Sequence, residues 1–157
     1  MAMESRIGRS DGISPEQAPA SSGPTLVIWA ARHWLEGRRC WHLVLDRFRR
    51  EIGPTDGPVA LALLEDILDT LDRKARRAIR LNPCGASRLS ADERLLLQAI
   101  AASIIGRPTL TAMSVETLIS GRSARLLELQ VSALARLIDR NMPGVSLLAR
   151  AESTALA

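Results

Sequence analysis

The 157-residue chain has no tyrosine and one phenylalanine, Phe48, and aromatic residues make up only 3% of it. No RNP-like set of interleaved aromatics, as RNA-binding sheets use for base stacking, is present. The core must come from Leu, Ile, Val and Ala. Aromatic and β-branched residues are sparse, which argues against a sheet. Cysteines number two, Cys40 and Cys84, too few for a disulfide framework. The longest near-apolar run, Leu95 to Ile105, is interrupted by Gln98 and is too short to cross a bilayer. MAMESRIGRS at the start lacks the apolar stretch of a secretory signal. These absences lead us to expect a cytoplasmic, reduced protein.

Lysine is also nearly missing. Lys74 is the only one among 21 cationic residues, and net charge is +4. Codon bias towards arginine accounts for this, or else a surface that grips phosphates or carboxylates bidentately. The modest net charge does not demand a nucleic-acid partner. Catalytic signatures are missing as well: there is no G-x-S-x-G, H-E-x-x-H, Walker loop or G-x-G-x-x-G. No helix-turn-helix or zinc-finger spacing is present.

What remains reads as helices. Residues 1–24 are rich in Ser, Pro, Gly and Ala and are expected to be a disordered leader. Residues 25–150 are expected to form one all-α domain, a bundle of four to six helices, with 151–157 as a frayed tail. The first helix is expected over Thr25 to Ile52. Val27, Ala30, Trp34, Trp41, Val44, Leu45, Phe48 and Ile52 share a stripe roughly 100° wide. Gly37 inside it marks a possible kink. The second is expected from Pro58 to Leu81, with Leu64, Ile67, Leu68, Leu71, Ala75, Ala78 and Ile79 on one face. Its first half is acidic and its second half basic, as the helix dipole favours. Ser90 and Glu93 form a capping box for a third helix ending near Ile105. Shorter apolar periods place a fourth over Thr111 to Ile119 and a fifth over Arg122 to Arg140.

Several residues invite chemistry. His33, Cys40, His42 and Cys84 are the ligand types of a closed zinc site. On a straight helix, however, His33 and Cys40 are two turns apart, about 10.5 Å, beyond the reach of one ion. Only a break at Gly37 would bring them together. No metal, cofactor or catalytic residue is therefore assigned. Cys84, beside Gly85 and ahead of a helix start, is placed where a thiolate would be favoured. Trp34 and Trp41 read as core anchors. Trp29 lies off the stripe on the same side as Arg47 and reads as an interface anchor. Arg73, Arg76, Arg77 and Arg80 fall within about 100° on the outer face of the second helix and read as charge partners. Ser153 to Ala157 is small and apolar, similar to tails that bacterial ATP-dependent proteases recognise, although a frayed helix end is the plainer account. The sequence thus points to a non-enzymatic protein–protein interaction or regulatory module that docks through Trp29 and these arginines. Self-association is an added possibility. The alternatives are a nucleic-acid-binding regulator using the arginine faces and a small metal- or thiol-dependent enzyme.

Overall fold

A computed structural model describes residues 7–8 and 23–142, with side chains from residue 25 onward apart from that of residue 38. The expected leader, except residues 7–8 and 23–24, and the expected tail lie outside the described residues. Among the described residues six α-helices form an all-α bundle: α1 (Gly23–Leu35), α2 (Trp41–Glu51), α3 (Asp56–Lys74), α4 (Ala91–Ile104), α5 (Pro108–Leu118) and α6 (Arg122–Asn141). The only strand pair among the described residues is two residues long, β1 (Ile7–Gly8) running parallel to β2 (Ile79–Arg80). No described helix is long and apolar enough to cross a membrane.

The antiparallel pair α3 and α6 forms the spine. Asp56 at the start of α3 accepts hydrogen bonds from Arg140 and Asn141 at the end of α6. Thr70, near the other end of α3, meets Gln130. Arg140 holds the Asp56 carboxyl below the usual carboxylate range, with Asn141 assisting. Leu64, Ile67, Leu68 and Leu71 of α3 face Leu127, Val131, Leu134 and Ile138 of α6, all essentially inaccessible. Burying each such side chain contributes about 1.5–3 kcal/mol. α4 packs on α5 and α6, and α2 on α3.

α4 begins with the expected capping box: the Ser90 hydroxyl accepts from Glu93 N–H, and the Glu93 carboxylate accepts from Ser90 N–H. Two expected helices are corrected. The aromatic-rich segment is two helices, not one. It breaks at Gly37, whose φ of +84° ends α1, and a 3-10 turn (Arg38–Cys40) leads into α2. Glycine adopts this left-handed conformation without the steric cost of a β-carbon. The second helix stops at Lys74, well short of Leu81. Ala75 leaves in extended conformation and bridges Ile119 at the end of α5. Ala75 and Ile79 are buried as their period implied, but by strand-like contacts.

Gly57 sets how closely α2 and α3 approach. A β-carbon there would sit 2.6 Å from the Phe48 carbonyl oxygen and 2.8 Å from Arg49 N. Both obstacles are backbone, so neither can swing aside. Gly57→Ala is expected to force the helices apart and cost about 1–3 kcal/mol despite better helix propensity. Denaturant unfolding would measure this, and an unchanged or raised midpoint would contradict it.

Candidate functional site

The break at Gly37 turns α1 into a corner that faces the loop of residues 82–89. Two features hold that corner. The first is Arg32, 8% exposed, against the fully buried Glu93. Arg32 Nε and Nη2 donate to the two carboxylate oxygens at 2.8 and 2.9 Å. Nη1 donates to Ala86 O and Nη2 also to Arg88 O. Glu93 accepts further from Asn82 N–H and Ser90 N–H. One carboxylate thus gathers α1, the loop and the start of α4. A buried ion pair offsets its desolvation only with such complete hydrogen bonding.

Beside it, Asp92 is 3% exposed and takes both Arg77 guanidinium nitrogens and Arg80 N–H. Burial alone would raise its pKa; the Arg77 and Arg80 hydrogen bonds outweigh that and hold it below the ordinary value. Arg77 is correspondingly raised by Asp92.

The second feature is chemical. His33 is 1% exposed and Cys84 6%. Their Nδ1 and Sγ atoms are 3.4 Å apart. Ligand atoms of His33, Glu36 and Cys84 all lie within 4.8 Å of one another. Nδ1 is also 2.8 Å from Trp29 O. A carbonyl can only accept, so Nδ1 carries the proton. The Cys84 S–H then donates to the Glu36 carboxylate. Burial first, then the hydrogen bond to Glu36 and its charge, push the Cys84 thiol up to about 12, with Arg32 opposing. Cys84 is therefore a protonated thiol in this state, correcting the expectation that its position favours a thiolate. Cys40 lies close enough for its charge to act on Cys84. His42 points to solvent from α2 and does not join.

The residues expected to meet a partner are scattered. Trp29 is half-buried, its ring 4.3 Å from that of His33 and capped by Arg47 at 4.4 Å. Trp34 and Trp41 are half-buried at the core edge. Arg73 pairs with Asp69 one turn back. Arg76, Arg77 and Arg80 lie beyond the end of α3, so the four arginines do not form one helical stripe. Arg77 is committed to Asp92, while Arg76 and Arg80 are exposed. Arg32, which ties the corner to Glu93, and Glu36, which meets Cys84, escaped the sequence reading. The i,i+3 spacing of His33 and Glu36 was the available signal.

Comparison with protein-family models, curated proteins and solved structures finds no match.

Two outcomes test this geometry. Arg32→Ala strands a buried carboxylate and is expected to cost about 3–5 kcal/mol. Arg77→Ala should cost less, because Arg77 is half-exposed and Asp92 keeps Arg80 N–H. Denaturant titration of both variants checks the order. For Cys84, the folded state favours the neutral thiol. Its contribution is complete below the ordinary value of 9.0 and is lost as pH rises towards about 12. With no tyrosine and one lysine, few other groups titrate there. Unfolding in chelator-treated buffer should show stability falling above pH 9.0, and falling less in Cys84→Ala. Parallel pH profiles for the two proteins would contradict the assignment.

Proposed function

We propose that the chain is a non-enzymatic, cytoplasmic protein-binding module, and that its docking surface is the outer face of α6. The observation that carries this is a pair of leucines one turn apart, Leu126 and Leu129, left 51% and 54% exposed. Single exposed leucines are ordinary, but an i,i+3 pair on one helix makes a continuous apolar strip. Arginines border it. Arg122 and Arg136 are exposed on the same helix one to two turns away. Thr70 meets Gln130 in the antiparallel pair, so Arg73 and Lys74, one turn on, lie beside Leu126.

An apolar strip with cationic flanks fits an amphipathic helix carrying a leucine ridge between acidic residues. A second copy of the same face would set arginine against arginine, so the partner is a different, acidic protein. Arg73 is the one residue of the sequence-derived set that belongs to this surface. Trp29 packs instead on His33 and Arg47, and Arg77 and the Arg80 N–H are held at Asp92.

The test is a titration of isotope-labelled protein with a synthetic amphipathic helix bearing a leucine stripe flanked by glutamates. Amide shifts should be confined to residues 122–136 and 73–74. Replacing Leu126 and Leu129 together by Ser should weaken binding at least tenfold, about 1.4 kcal/mol. Added salt should weaken it further. No shifts, shifts elsewhere, or an equal response to a scrambled peptide would refute the proposal.

A further inference from the structure

We infer that His33, Glu36 and Cys84 form a binding site for a borderline-soft divalent transition metal ion, with zinc the leading candidate. The inference is independent of the docking surface on α6. Two segments about fifty residues apart in sequence deliver an imidazole, a carboxylate and a thiol to one point, their ligand atoms within 4.8 Å of each other. A tetrahedral zinc ion bonds sulfur at about 2.3 Å and nitrogen at about 2.0–2.1 Å, which sets the S···N separation near ~3.6 Å. The Cys84 Sγ and His33 Nδ1 atoms stand 3.4 Å apart. Shifts of about an ångström would complete the three-ligand geometry.

The charges balance. A thiolate and a carboxylate neutralise a dication, and the imidazole binds as a neutral donor, so the buried corner would hold no net charge from the site. On binding, the Cys84 thiol gives its proton to solvent and its sulfur takes the metal. If Nδ1 is the imidazole ligand, its proton leaves and Nε2 becomes the protonated nitrogen, releasing the contact with Trp29 O. If Nε2 is the ligand, that contact stays. Glu36 is at the surface and opens the route in, while His33 and Cys84 are buried behind it. The fourth position falls to water.

The site does not use the His33–Cys40 pair that a straight helix rules out. α1 ends at Leu35, the chain turns at Gly37, and the sulfur comes from Cys84 of the loop. The loop is in turn held by Arg32, which binds the carbonyls of Ala86 and Arg88 on the far side of Cys84. The donors therefore sit on supported backbone, as a metal site requires. A bound ion would staple the helix corner to the loop.

Cobalt(II) is the probe, added to the full-length, metal-stripped protein. One equivalent should produce thiolate-to-cobalt charge-transfer absorption and intense visible bands of a four-coordinate ion, with zinc displacing it. Trp29, packed on His33, should lose fluorescence in step. Cys84→Ser should abolish the charge-transfer band. Glu36→Gln, a surface change that leaves the fold intact by circular dichroism, should weaken binding by more than about tenfold. Zinc should raise the melting temperature of the wild-type protein and not that of Cys84→Ser. Absence of stoichiometric cobalt binding, or a charge-transfer band that survives Cys84→Ser, would overturn the site.

Discussion

The corner of this molecule depends on one carboxylate. Glu93 is wholly buried and accepts four hydrogen bonds, two from Arg32 and two from the backbone of Asn82 and Ser90. Its position is over-determined. It is the reciprocal half of the cap on α4, so it must point back along the helix start. In that pose it meets a guanidinium from α1, sixty-one residues away. Replacing the pair with apolar groups of equal volume, often harmless elsewhere, would strip the Asn82 and Ser90 N–H groups and the Ala86 carbonyl of these partners, and leave the Arg88 carbonyl only the Asn82 amide. Arg32 and Glu93 act less as an ion pair than as the polar hub to which a loop without helix or strand is tied.

That tie explains why the loop can be partly internal at all. Residues 82–89 contain no regular element, and loops usually stay outside because their backbone groups need water. Here Asn82 N–H, Ala86 O and Arg88 O all find side-chain partners. Cys84 can then turn inward and lie beside His33. Asp92 does the same one residue before Glu93, binding Arg77 and Arg80 N–H. Two adjacent acids at one helix start thus hold the chain on both sides of β2. The arginine excess is partly consumed in this way. Arg32 and Arg77 serve the interior architecture, and Arg47 covers Trp29. The charge left to meet a partner is smaller than the composition suggests.

The helices of the second half were legible because each has a clean apolar period and a clear stop. The Ser90–Glu93 cap was legible because both of its partners are local. Gly37 was legible only as a possible kink and the stop at Lys74 not at all, for a shared reason. Apolar periodicity reports which residues are buried, and it is silent on the backbone that buries them. Val27 and Ala30 before the corner and Val44 and Phe48 after it all reach the core, so the stripe runs straight through a break. Ala75 and Ile79 keep the helical phase of α3 while packing as extended chain. Arg32 was one guanidinium among many, and nothing local separates a buried arginine from an exposed one. Gly57 was invisible because its need is the Phe48 backbone on another helix.

The hub and the proposed metal site share a loop, which has a thermodynamic consequence. Arg32 and Glu93 fix the loop from residue 82 to residue 90 whether or not an ion is present. The entropy of ordering Cys84 is therefore met by the fold and not by the metal. Loosening the hub would leave all three donor side chains chemically intact yet place one of them on a mobile segment, and affinity would fall. By reciprocity, an ion joining Cys84 to the α1 corner would strengthen the same closure that the ion pair makes. The outer face of α6 has no part in this linkage. Its leucines and arginines sit on the α3–α6 spine, which is held by core packing and by Asp56 at its far end. A partner bound there should sense the state of the corner through α4 and α3, each of which packs on both α1 and α6. The molecule is thus divided between a rigid spine that presents a surface and a polar corner whose order one carboxylate maintains.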